Sequence, residues 1–144
     1  MEVRRALPPD SGPIAEVFIA SFETLRFLPV LHSHEEHRAF IGDLVERADV
    51  WVAEHEGRIV GMAAVSGDVL GQLYVHPRSQ RRGAGAALLD EVKRARPHGF
   101  SLWVFQENEP ARRFYERHGC RLVRLTDGRG NAEAQPDALY EWAP

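Results

Sequence analysis

The stretch from Val69 to Leu89, VLGQLYVHPRSQRRGAGAALL, constrains this chain more than any other. Val69, Gly71, Leu73 and Val75 point to one side of a strand, and Leu70, Gln72 and Tyr74 to the other. Both sets are largely non-polar, which predicts a central strand covered on both faces. Pro77 stops the pairing, because it has no N–H to give a ladder. A short basic loop, Arg78 to Gly83, then feeds a helix beginning near Ala84, with Leu88, Leu89, Val92 and Ala95 as its buried stripe. A strand, a loop and a helix in this order place the chain among α/β and α+β folds.

The loop has the chemistry of an anion site. Gly83 and Gly85 let the backbone approach a ligand closely and take conformations that other residues resist. The first N–H groups of the helix lack intrahelical partners and lie at the positive end of its dipole. Arg81 and Arg82 add charge and bidentate donors. A pyrophosphate suits such a place.

The pattern narrows which pyrophosphate. GAGAAL holds only two of the three glycines of a dinucleotide fingerprint, and HPRSQRR stands where its tight turn belongs. No Lys-Ser/Thr pair follows the glycines, so a Walker-type loop fails. Gln80, Gly83 and Gly85, after a strand ending in L-Y-V-x-P, instead fit the pattern Gln/Arg-x-x-Gly-x-Gly/Ala. The segment resembles the acetyl-CoA motif of the GNAT superfamily of N-acyltransferases. That resemblance implies that Gln80, Arg81, Arg82, Gly83, Ala84, Gly85 and Ala86 hold the cofactor.

Composition sets outer bounds. The chain has 144 residues, suited to one domain with a single sizeable core. A formal net charge of −3, with arginines scattered rather than striped, gives no field for nucleic acid. No apolar run approaches membrane-spanning length, and MEVRRALPPD lacks the apolar region of a signal peptide. The expected location is the cytoplasm. Cys120, the one cysteine, permits neither an intrachain disulfide nor a thiolate metal cage.

The remaining elements follow from local signals. Glu2 to Leu7 reads as an edge strand broken by Pro8-Pro9, and Asp10 or Ser11 caps a helix carrying Ile14, Val17, Phe18 and Phe22. An apolar connector, Leu25 to Leu31, precedes a capping box of Ser33 and Glu36 and a second helix to about Arg47. Val50–Glu54 and Arg58–Val65 form a hairpin, and Phe100–Phe105 is a further strand. Asn108 and Glu109 open a helix that closes at Gly119, before strands Cys120–Leu125 and Ala138–Trp142 around a polar loop. The order β-α-α-β-β-β-α-β-α-β-β predicts a mixed central sheet with helices on both faces. It is also the order of the GNAT fold, so the resemblance spans essentially the whole chain.

A second motif lies in ENEPARRFYERHGC. Asn108 and Tyr115 are seven residues apart and share a helix face, with Ala111 between them. This is similar to the superfamily's second CoA pattern, N-x-x-A-x-x-x-Y-x-x-x-G-[FC]. The resemblance implies that Asn108 bonds the pantetheine arm and that Tyr115 lies beside the thioester sulfur. Asn108 also reads as a cap, and Tyr115 as core. Transfer from a thioester to an amine needs a free-base amine, a polarised carbonyl and a reprotonated thiolate. A thiol pKa near 8.5 lets a tuned Tyr hydroxyl, about 10 unperturbed, act as the acid. The resemblance further implies that the central strand and its successor diverge, exposing the backbone of Leu73 and Val75 to pantetheine, and the Val75 N–H meets the carbonyl oxygen as charge develops.

The base is absent from its usual positions. Some relatives carry Glu where Trp103 stands, others carry Glu or Asp where Gly71 and Gln72 stand. Asp68, Glu23, His32 and His34, acting through water, remain as alternatives. His32, His34 and His37 with Glu35 and Glu36 do not match a zinc spacing, and read as a solvated helix start or as substrate contacts. No metal is expected. Cys120 reads as core rather than nucleophile. The expectation is an acetyl-CoA-dependent N-acetyltransferase acting on an amine in a ternary complex, as monomer or homodimer, with Phe27 and His32 at the acceptor and its pocket shaped by the connector Leu25 to Leu31 and the acidic, Gly-rich late loop. Its rival is a non-catalytic acyl-CoA sensor or partner-binding domain of the same fold.

Overall fold

The computed structural model describes Met1–Pro144. Seven strands, β1 (Glu2–Arg5), β2 (Asp49–His55), β3 (Arg58–Ser66), β4 (Val69–Val75), β5 (Phe100–Phe105), β6 (Arg121–Leu125) and β7 (Asp137–Trp142), form one sheet ordered β1-β2-β3-β4-β5-β7-β6. Four helices accompany it: α1 (Ser11–Phe22), α2 (His34–Arg47), α3 (Ala84–Ala95) and α4 (Glu109–Arg117). All neighbouring strands are antiparallel except β4 and β5. The expected mixed sheet with helices on both faces is present.

Each face has its own core. On one, Leu88, Leu89 and Val92 of α3 and Tyr115 of α4 pack with Ala63, Val65, Leu70, Leu102 and Tyr140. On the other, Ile14, Val17 and Phe18 of α1 and Ile41 and Leu44 of α2 cover Val50, Val52, Met62 and Ala64. Burying each such large apolar side chain is worth about 1.5–3 kcal/mol. Gly61 allows α3 to lie close, since a Cβ there would meet Leu88 Cδ1 at 3.1 Å. Lys93 of α3 donates to the His118 carbonyl at 2.7 Å, its ammonium 5.3 Å from the Trp142 ring centroid, joining α3 to the end of α4. No helix is long and apolar enough to cross a membrane.

Two local expectations are corrected. Asp10 does not cap α1. Its carboxylate turns back to Arg4 of β1 and accepts from the Leu7 N–H at 2.7 Å, inside a 3-10 turn, Pro8–Asp10. The Arg4 hydrogen bond holds it below the usual carboxylate range. The second concerns β4, which is not covered along its whole length. Its pairing with β3 is continuous apart from a bulge, yet with β5 it registers only at Val69↔Ser101. Beyond that point the two parallel strands separate, leaving Gly71 exposed and Gln72 to Val75 half-buried. The capping box of Ser33 and Glu36 opens α2 as expected.

Candidate active site

The gap between β4 and β5 organises the candidate site. His76 donates its N–H to the Val60 carbonyl of β3 at 2.8 Å. Backbone directions alternate along an antiparallel strand, so Val75 and Leu73 turn their N–H and C=O groups away from β3, into the gap. The Val75 carbonyl there accepts from Ser21 Oγ at 3.0 Å and from Gln80 Nε2 at 3.3 Å. Ser21, the one buried polar side chain of the chain, thus ties the end of α1 to the end of β4. Its place among the apolar residues of α1 was the available signal, and sequence reading passed over it.

The anion loop opens on the α3 face. Gly83 caps α3 in the left-handed region at φ +86°, contributes no side-chain cap, and has open space around the position of a Cβ. The N–H groups of Ala84, Gly85 and Ala86 therefore lack intrahelical acceptors. Arg81, at φ +66°, and Arg82 are exposed and form no ion pair within the protein. Gly85 also has a packing reason that the sequence did not show. A Cβ there would stand 3.3 Å from two ring carbons of Phe114, so its absence lets α4 pack against α3.

On α4, the Asn108 side chain accepts from the Ala111 N–H at 3.3 Å, the geometry of a cap. Tyr115 is 7% exposed, its ring 5.2 Å from that of Phe114. Burial pushes its phenol well above the ordinary value, and Tyr74 adds to the shift. Tyr74 lies on the opposite face of the sheet, packed edge-on to Phe18 at 5.4 Å. Its own phenol is pushed up to about 12, by burial first and the charge of Glu133 second. Cys120 is buried, its thiol pushed up by burial, in keeping with a core residue.

On the α1–α2 face the gap meets a cleft of about 1120 Å³, walled by Phe18, Phe22, Phe40, Tyr74, Trp103 and Phe105. The β6–β7 loop closes it with Thr126, Asn131, Glu133 and Asp137. That loop is tied internally. Asn131 bonds the Gln135 carbonyl at 2.7 Å, and Gln106 reaches the carbonyls of Thr126 and Asp137 at 2.8 and 3.0 Å. A Cβ on Gly128 would collide with the Gln135 carbonyl, so the loop needs glycine there. A second pocket of about 440 Å³ adjoins, lined by the connector residues Leu25, Leu28, Pro29, Val30 and Leu31. Phe22, His32, His37 and Glu133 line both.

The candidate bases separate by position. Asp68 lies at the start of β4, with six residues of strand, about 20 Å, between it and Val75. It pairs with Arg96 at 3.8 Å, which removes it from the site. His34 faces Glu23 at 3.2 Å, and His32 faces Glu36 at 3.6 Å. His37 is half-buried against Phe18 and Phe22, at 5.2 and 5.4 Å, and its pKa is lowered by burial and then by the neighbouring histidines. Phe27 packs edge-on to Phe105 at 5.8 Å, behind the cleft wall, and lines neither cavity. Sequence reading missed Tyr74 and Glu133 as site residues. Tyr74 looked like one more apolar strand position, and nothing local brings position 133 to position 74.

The family model of the acetyltransferase (GNAT) domain matches residues 46–120, from the end of α2 to Cys120. The chain belongs to the GNAT acetyltransferase family. Within the family it is similar to the peptidyl-lysine N-acetyltransferase YiaC of Escherichia coli K12, 38% identical over 77 residues, 53% of this chain and 52% of YiaC. The chain spans about half or less of the length of the curated relatives it matches. Among solved GNAT structures, a GCN5-related N-acetyltransferase from Rhodopseudomonas palustris superimposes with a TM-score of 0.82 at 22% identity, over 99% of this chain and 95% of that one. PaiA N-acetyltransferase from Thermoplasma acidophilum, in complex with coenzyme A, gives 0.73 at 17%, over 99% and 98%. At such identities the likeness concerns the fold alone.

Proposed function

We propose that this single domain, Met1–Pro144, transfers the acetyl group of acetyl-CoA to a primary amine by direct attack in a ternary complex. The observation that carries the reading is the β4–β5 gap, with the unpartnered α3 N-terminus on one face and the aromatic cleft on the other. Pyrophosphate fits the N–H groups of Ala84, Gly85 and Ala86 together with Gln80, Arg81, Arg82 and Gly83. The freed backbone of Leu73 and Val75 suits the amides of pantetheine, with Asn108 and Ala111 of α4 alongside. The coenzyme A bound by PaiA supports the assignment through the shared fold.

In the reaction a neutral amine nitrogen forms a bond to the thioester carbon and the C–S bond breaks. The Val75 N–H donates to the carbonyl oxygen as charge builds there. Tyr115 Oη gives its proton to the departing thiolate and recovers one from solvent, and the proton lost by the amine leaves through the cleft, with His37, whose lowered pKa keeps it neutral, as its first acceptor. The raised pKa of Tyr115 does not oppose this role. A thiolate formed in the same apolar surroundings is made more basic by the same desolvation. The printed activity of YiaC makes a lysine side chain one acceptor to include.

The test is a screen of amino acids, polyamines, aminoglycosides, peptide N-termini and lysine peptides, read by release of free CoA from acetyl-CoA. The expected result is amine-dependent release. Tight CoA binding without release by any amine would point to an acyl-CoA sensor instead.

A further inference from the structure

Three carboxylates line the large cleft, and two are occupied by the protein itself. Asp137 accepts from the hydroxyl of Thr126 and from Asn131 Nδ2 at 3.1 Å. Glu36 accepts from the Ser33 N–H at 2.9 Å in the α2 capping box and faces His32. Glu133 is half-buried, yet no side chain or backbone group of the chain forms a hydrogen bond or ion pair with it. Arg124, the one guanidinium on the cleft, lies instead over the Trp103 ring at 5.5 Å. A carboxylate drawn partly out of water gains from a cationic partner, and none is supplied from within. It shares the boundary of the two cavities with Phe22, His32 and His37, of which His32 faces Glu36 and His37 has a lowered pKa, and its charge is felt at the Tyr74 hydroxyl. A carboxylate on a cavity walled by aromatic side chains can bind an ammonium group, through ion pairing and cation–π attraction together.

We infer that Glu133 anchors the acceptor amine, arriving as an ammonium at the boundary of the cleft and the connector pocket and giving one proton to solvent before its nitrogen attacks, and that acceptors carry this ammonium on an apolar stem. The inference rests on the transferase reading above and deepens it. The bonds of Asn131 and Gln106 brace the backbone of the loop that carries Glu133, so binding need not order that segment. An amine bearing its own carboxylate on the adjacent carbon is disfavoured, because that charge would face Glu133.

The test uses the full chain saturated with CoA, titrated with n-pentylammonium and 2-phenylethylammonium and with the isosteric neutral alcohols, followed by NMR shifts of the Tyr74 ring. At least one ammonium is expected to bind at least tenfold more tightly than its alcohol. Glu133→Gln is expected to remove that preference while leaving CoA affinity and thermal unfolding unchanged, and Glu133→Asp to keep part of it. Equal affinity of ammonium and alcohol for the wild type, or an ammonium preference that survives Glu133→Gln, overturns the inference. Glu133-dependent ammonium binding without CoA release by any amine would uphold the anchor and sink the transferase reading instead.

Discussion

Replacing Tyr115 by Phe separates chemistry from packing at one oxygen. The Tyr115 hydroxyl hydrogen-bonds no group of the protein, and it is not among sealed, unpartnered polar atoms, so it keeps access to solvent. Removing it breaks no internal bond and leaves the ring against Phe114. The unfolding free energy should therefore stay within about 1 kcal/mol of wild type, the scale of one net hydrogen bond. If Oη reprotonates the thiolate, kcat should fall by about 10²–10⁴, or roughly 2.7–5.5 kcal/mol of activation free energy. The assay is CoA release with the best amine of the screen, beside urea unfolding and CoA calorimetry on the same samples. CoA affinity should remain within a few-fold. Full turnover by Tyr115→Phe would refute the reasoning, as would an activity loss matched by loss of CoA binding.

Two other perturbations test parts of the same framework. Gly85→Ala brings a methyl group within 3.3 Å of the Phe114 ring, which His118 backs at 4.6 Å, so it should lower stability by about 1–3 kcal/mol; in a Phe114→Leu background the same change should cost less or become favourable, and thermal unfolding of the four proteins reads the coupling. At alkaline pH the unfolded chain releases the protons of Tyr74 and Tyr115 near 10 while the folded chain keeps them, so stability is intact below about pH 10 and falls above it, toward about 12 for Tyr74; urea midpoints between pH 9 and 11 should show that slope, and a Tyr74→Phe, Tyr115→Phe double variant should flatten it.

Much of this was legible from local chemistry. Val69–Val75 announces itself because an apolar run ends at a proline, α2 because Ser33 and Glu36 cap it reciprocally, and the end of α4 because Gly119 takes φ +87°. The turn into α3 was legible because Gly83 takes φ +86° there. What failed depended on distant partners. Asp10 had the identity of a cap and was claimed by Arg4, and the closeness of Phe114 to Gly85 left no local trace. The resemblance implied that β4 parts from its neighbour, but where it does so depends on the position of β5, which no residue of β4 records. Glu133 was invisible for the same reason, being brought to Tyr74 by the Asn131 and Gln106 bonds of its loop.

For the acetyl-CoA-dependent transferase proposed above, the position of Lys93 carries a consequence. An acetyl thioester acylates any accessible amine that offers a lone pair, including those of the protein that binds it. This chain has a single lysine, and its nitrogen is committed as a donor to the His118 carbonyl and rests against the face of Trp142. Its other cationic side chains are arginines and histidines, and guanidinium groups stay protonated and unreactive at neutral pH. The surface is therefore almost free of side-chain amines, and under the proposed reaction its charge is carried by groups that an acetyl thioester would leave unchanged.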